Sequence, residues 1–462
     1  LFLLTTHVSL LTLIFVTPAF SQQRWERTYG GSLDDEGYSV QQTSDGGYIV
    51  AGMTTSFGNK GQVYLIKTNA SGDTLWTKIY GGPEYDYSYA VQQTTDRGYI
   101  VSGVCDNNTA NPQVYLIKTD SSGDMLWART YGGARYDAGY SVQQTSDRGY
   151  IVGGYTLSFG NGSQVYLIKT NASGDTLWTR TYGDTGSEYG YSVQQTSDGG
   201  YIIAGIVNMF GNNDQVYLIK TNSFGDTLWT RNYGGAYTDW GESVQQTQDG
   251  GYIIAGFTNS FGPGTPSYTN VYLIKTNASG DTLWTRAYGG LRSDAGFSVK
   301  QTQDGGYIVA GSTSSFSDTL DNVYLIKTNA SGDTLWTRTY GGADYDYAYS
   351  VGLTTDGGYI IAGVTGFDVY LIKTDANGNV GVETAGVRGQ GLGVRITAKP
   401  NPFTAFSMVP GHEAERFNLY DIAGRKVGTY RGDRIGEGLG AGVYFLAPEG
   451  GKAKPVRIVK VK

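Results

Sequence analysis

The stretch VYLIKTNASGDTLWTK, residues 63–78, decides the fold, because the chain repeats it. Trp76 lies near its end, and a tryptophan in the same local setting recurs at Trp127, Trp178, Trp229, Trp284 and Trp336, with a forerunner at Trp25 in QQRWERTYGG. The spacings are 51, 51, 51, 51, 55 and 52 residues, a regularity that marks internal duplication.

In consensus the unit runs W-T-R-T-Y-G-G, a short acidic stretch, G-Y-S-V-Q-Q-T, S-D-G-G, Y-I-V-A-G, a variable loop, V-Y-L-I-K-T, N-A-S-G-D and T-L-W. Four strands per period are predicted, in the first copy at 39–43, 48–51, 63–68 and 74–80. Asp45, Gly46 and Gly47 suit a hairpin turn between the first two, since glycine tolerates positive φ. The Asn, Ser, Gly and Asp of 69–73 favour a locally hydrogen-bonded turn before the fourth. Each repeat is then a four-stranded antiparallel meander, and such units either stack as an open solenoid or close into a propeller.

The two ends discriminate. The chain enters at Trp25 with an isolated fourth strand, and the last unit reaches the tryptophan position with Val382. A ring accounts for both, because WERTY completes the blade whose own fourth strand is degenerate. First-strand motifs begin at residues 38, 89, 140, 191, 242, 297 and 349, and DGG or DRG turns begin at 45, 96, 147, 198, 249, 304 and 356. The expectation is an all-β chain: a seven-bladed β-propeller over 24–382, built of four-stranded antiparallel blades and closed by the N-terminal strand. Trp25, Trp76, Trp127, Trp178, Trp229, Trp284 and Trp336 then serve as structural wedges docked between blades. Trp240 breaks the period and is the one tryptophan with a candidate surface role.

Glycine at 70 residues and tyrosine at 38, with 16% charged residues, favour short strands and turns over helices. At 39% apolar residues, and without glycine at every third position, the chain is neither disordered nor collagen-like. A net charge of −7 argues against a nucleic-acid partner, whose footprint is a basic face. Cys105, the single cysteine, sits in a loop-like CDNNTANPQ and rules out an intramolecular disulfide framework. Only His412 lies outside the leader, so histidine triads and multi-histidine metal sites are excluded. No cofactor is expected.

Residues 1–21, an apolar run followed by Pro18 and Ala19-Phe20-Ser21, read as a signal peptide, and no membrane span is expected after its cleavage. The period ends near 383. The glycine-rich segment 383–395 reads as a linker, and 396–462 as a small β-sandwich-like domain of basic character.

An acid precedes every first strand: Asp35, Asp86, Asp137, Glu188, Asp239, Asp294 and Asp346. Two roles are open. The seven carboxylates ring one mouth of the channel and attract a cation or basic peptide, or each caps its own turn. The turn aspartates of the Asp45 and Asp73 series are read as structural.

The repeat unit, over 24–382, resembles the repeats of secreted bacterial β-propeller proteins. Asn69, Gly72, Asp73 and Trp76 are similar in layout to the tryptophan-docking motif of quinoprotein and outer-membrane-assembly propellers, with Ser71-Gly72 in place of that motif's Thr-Gly. The Asp-box hairpins of sialidases are a looser likeness.

The C-terminal part resembles the type 9 secretion sorting domain of Bacteroidetes through Pro400-Asn401-Pro402-Phe403, Leu419-Tyr420-Asp421 with Gly424, Gly442-Val443-Tyr444 and the terminal Val459-Lys460. That resemblance implies outer-membrane sorting machinery as a partner and a secreted or surface location in a Gram-negative bacterium. The function expected is an exported, non-catalytic binding or adhesion scaffold for an extracellular glycan or protein. The alternatives are a polysaccharide hydrolase or lyase using acids at the channel mouth, with Asp137 and Asp239 foremost, and a purely structural surface protein.

Overall fold

A computed structural model describes residues 24–380, apart from 59, 107–110, 185, 210–212 and 318–319, and then 416–420, 425–431, 433–440, 442–448 and 456–460. The signal peptide, Val382, the linker, Pro400, Asn401, Pro402, Phe403, Asp421 and Gly424 lie outside the described residues.

After a first strand β1 (Trp25–Tyr29), blade 1 is the meander β2 (Asp35–Gln42), β3 (Tyr48–Thr54), β4 (Gln62–Thr68) and β5 (Thr74–Tyr80). Five further blades repeat it. The seventh combines Asp346–Leu353, Tyr359–Thr365 and Asp368–Thr374 with β1. The first strand of every blade touches that of both neighbours, round to blade 7 and back to blade 1, so these strands line the axis.

The ring closes as expected. Trp25 stands opposite Lys373, the register that Trp76 makes with Lys67 in blade 1. Arg24 adds an ion pair to Asp375 at 3.1 Å, and Tyr370 donates to Glu26 at 2.7 Å.

The core is distributed between blades. Ile49, Ala51, Val63 and Leu65 of blade 1 pack on Val91, Tyr99, Val101 and Ile117 of blade 2. Ile360, Ala362, Val369 and Leu371 of blade 7 pack in the same way on Trp25, Tyr48, Val50, Tyr64 and Ile66. The middle strands are buried on both faces, which is why YIVAG and VYLIKT read as nearly unbroken apolar runs.

Two local features differ from the sequence expectation. The inner strands begin four residues earlier than predicted, so each acid is the first residue of its strand. The reason is a β-bulge between Gly37 and Ser39, repeated in every blade, which breaks the alternation that marks a strand. Cys105 is not in a loop; it ends the strand Tyr99–Cys105, buried opposite Asp86.

In the C-terminal part, Lys426–Arg431, Arg416–Tyr420, Gly442–Pro448 and Val456–Lys460 form one antiparallel sheet in that order. Phe417, Leu419, Ile435 and Leu446 are its buried core.

Candidate functional site

Six of the seven acids accept hydrogen bonds from the turn that precedes them, while one oxygen each of Asp35, Asp346 and Glu188 is buried without a hydrogen-bond partner among the described residues. Asp137 accepts from Gly133 N–H at 2.8 Å, Ser158 Oγ at 2.7 Å and the Thr156 hydroxyl, all within blade 3 or the turn entering it. Asp239 and Asp294 repeat this set, Asp35 and Asp346 accept from Gly31 and Gly342, and Asp86 from Gly82. Glu188, in a blade where Val207 replaces the facing threonine, is buried in the same place. Among the described residues no three acids come together as a metal-holding group.

The tryptophans sit between blades. Trp25 packs on Gly72, and Trp76, Trp127, Trp178, Trp229, Trp284 and Trp336 pack on Gly123, Gly174, Gly225, Gly280, Gly332 and Gly378, each the turn glycine of the next blade. Trp25 also donates its indole N–H to Ala70 O at 3.1 Å. These glycines have φ near +80°, so the turn conformation and the indole both exclude a side chain there.

What sequence reasoning passed over is the residue at the bulge. In the seven blades it is Tyr38, Tyr89, Tyr140, Tyr191, Glu242, Phe297 and Tyr349. Going round the ring, the centroids of Phe297, Tyr349, Tyr38, Tyr89, Tyr140 and Tyr191 are 5.7, 5.1, 5.5, 4.7 and 5.4 Å apart. Neighbouring planes differ by 49–60°. That is close to the rotation of about 51° between blades of a seven-fold ring, so the rings stand upright around the axis.

A second tier, two residues earlier on the inner strands, adds Tyr87, Tyr189, Tyr347 and Trp240. Trp240 stacks on Tyr191 at 5.9 Å and on Phe257 at 5.1 Å, and its indole N–H donates to Asp214 at 3.0 Å. Tyr347 donates to Asp321 at 2.8 Å, the corresponding loop position two blades on. The structure thus places Trp240 in the mouth of the channel.

One sector breaks the pattern. Glu242 takes the tyrosine position in blade 5, close enough to raise the pKa of Tyr191 through its charge. Among the described residues it has no hydrogen bond or ion pair, and enclosure by the channel pushes its carboxyl up to about 7. Three residues past Phe297, Lys300 replaces the glutamine that in blades 1 to 5 ties inner strands together, as when Gln41 accepts from Gln93 N–H at 2.6 Å. Burial lowers the Lys300 pKa. At the blade 1 side of the mouth, Glu36 accepts from Tyr38, and burial raises its pKa.

A seven-bladed β-propeller carries this mouth. No protein-family model matches the chain. The regulatory protein FlaEY of Caulobacter vibrioides is 27% identical over 158 residues, 31% of this chain, and the chain spans only 16% of its length. Among solved structures, a protein of unknown function from Bacteroides caccae is similar at 11% identity and TM-score 0.39, over 67% of this chain and 94% of that one. PorZ, a surface component of the type IX secretion system of Porphyromonas gingivalis, is similar at 12% and 0.43, over 94% and 60%. The Pan2 WD40 domain of Neurospora crassa is similar at 10% and 0.46, over 78% and 92%. Likenesses at this level carry no argument about function.

Proposed function

We propose that the chain is an exported binding scaffold whose ligand meets the aromatic mouth of the propeller. One observation carries this. An aromatic arc from Phe297 round to Trp240 ends on a half-buried carboxylate, Glu242, which has no hydrogen bond or ion pair among the described residues and stands where five other blades carry tyrosine. A charge partly withdrawn from water without a partner costs stability, and groups perturbed in this way mark functional sites. The reading as a polysaccharide hydrolase or lyase has less support, because Asp137 and Asp239 are each locked by three hydrogen bonds in their own turns.

The C-terminal sheet, with Tyr420, Gly442 and Tyr444 on adjacent paired strands, supports the proposal that 396–462 is a sorting domain addressing the protein to the outer-membrane machinery. Arrays of glycans and peptides probed with the full chain, and with a Tyr191→Ala, Trp240→Ala variant that retains its fold, test the binding reading. Hits lost in the variant support it; no hits, or hits unchanged in the variant, overturn it.

A further inference from the structure

We infer that the mouth takes an organic cation, an alkylammonium or guanidinium group, with Glu242 as its counter-ion and the upright aromatic rings as its walls. This rests on the reading of the mouth as the binding face.

Size fits. Seven positions separated by the observed 4.7–5.7 Å place ring centroids about 6 Å from the axis, the distance at which a cation is attracted by an aromatic ring.

Charge fits as well. The groups facing Glu242 are Tyr191 from blade 4, with Asp214 behind it, Phe297 from blade 6, Trp240 on its own strand, and Tyr38 with Glu36 across the ring. None is basic. Lys300 lies three residues deeper on the blade 6 strand, without a hydrogen bond or ion pair among the described residues, and bars a cation from sinking past the tyrosines. A cation seated at the rings therefore meets π-electrons, phenol oxygens and one free carboxylate, and the rims supply further negative potential from Asp214 and Asp321.

Binding is linked to a proton. The cation stabilises the carboxylate form of Glu242, which releases its proton on binding. With that group titrating near 7 in the free protein, affinity should rise about tenfold between pH 6 and pH 8.

The test is calorimetric titration of the full chain with choline, with N-acetyl-lysine methylamide, and with 3,3-dimethylbutan-1-ol as the uncharged isostere of choline. Each is run at pH 6 and pH 8 in buffers of different ionisation heat. Expected are binding of a cation but not of the isostere, the tenfold rise with proton release, and loss of both the rise and the release in Glu242→Gln. The choline and lysine arms distinguish a small quaternary amine from a peptide side chain. Equal binding of the isostere, or a pH profile that Glu242→Gln leaves unchanged, overturns the inference. If neither cation binds while array ligands still depend on Tyr191 and Trp240, the cation falls and the binding face stands; if array ligands are absent too, both fall. Unfolding curves for Glu242→Gln confirm that it folds.

Discussion

Trp25 lies against Gly72, so the first strand of the chain docks on the turn of the blade that follows it in the ring. A Cβ at Gly72 would stand 2.9 Å from the indole. With only 3% of its surface exposed, Trp25 is more buried than its six counterparts, which are half-buried. It closes blade 7 on one side and packs on blade 1 on the other.

Trp25→Ala should therefore destabilise the protein by about 3–5 kcal/mol, the range for emptying a buried aromatic site. It also strands the Ala70 carbonyl. Trp76→Ala should cost less, and removal of residues 22–31 more than either. Urea unfolding measures all three; an unchanged midpoint on removing 22–31 would refute closure by the N-terminal strand.

A buried lysine in each blade meets the aspartate of its own hairpin turn. Lys67 reaches Asp45 at 2.9 Å and Thr68 O at 2.8 Å, and Lys373 reaches Asp356 at 2.9 Å. Hydrogen bonds from Thr196, Lys220 and Gly200 hold the Asp198 carboxyl down to about 2 against the desolvation that opposes them, and the other six turn aspartates are held below their usual value in the same way. A carboxyl depressed in the folded state stabilises above its unfolded pKa of about 4, and that stability is lost as pH falls through the folded value. Stability should hold down to about pH 4 and then drop steeply towards pH 2. Lys67→Met should flatten the drop by one site's share, read from urea midpoints across that range.

Two of the hairpin turns carry arginine where five carry glycine. Arg97 and Arg148 have φ of 68° and 67°, a left-handed conformation that costs a side-chain-bearing residue about 1 kcal/mol. Arg97→Gly and Arg148→Gly should each raise stability by about that amount, and Gly46→Ala, at φ 83°, should lower it by a similar amount. The following glycine is needed for another reason: a Cβ at Gly47 would stand 2.1 Å from the Thr68 carbonyl oxygen and 2.7 Å from the Lys67 ammonium. Thermal unfolding of the single variants separates the two effects.

Glu242 gives the opposite pH dependence to the turn aspartates. A carboxyl raised in the folded state favours folding while protonated, so its contribution falls as pH rises from about 4.5 to about 7 and then levels off. Glu242→Gln should stabilise the protein by about 2 kcal/mol at pH 8, allowing for screening by water in the channel, and by nothing measurable at pH 4. Midpoints of the two proteins at the two pH values decide it.

Much of this architecture was legible before any coordinates. The tryptophan spacing and the seven DGG or DRG turns count the blades, and the mismatch between Trp25 and Val382 closes them. The inner strand was the weak point. Gly37 and the bulge at Tyr38 interrupt a two-residue alternation, so Asp35 reads as a residue outside the strand, and sequence alone leaves a ring of acids open beside the favoured reading of seven caps.

The sequence by itself determined the repeat, the closure and the tryptophan wedges, because each of these is a local pattern copied along the chain. Only the tertiary structure decided that the bulge turns Tyr38, Tyr89, Tyr140, Tyr191, Phe297 and Tyr349 into one arc, and that Glu242 sits in its gap with no hydrogen bond or ion pair among the described residues. These residues are about fifty positions apart and meet only once the blades have gone round the axis. A burial penalty such as that on Glu242 belongs to the closed ring and to no segment of it.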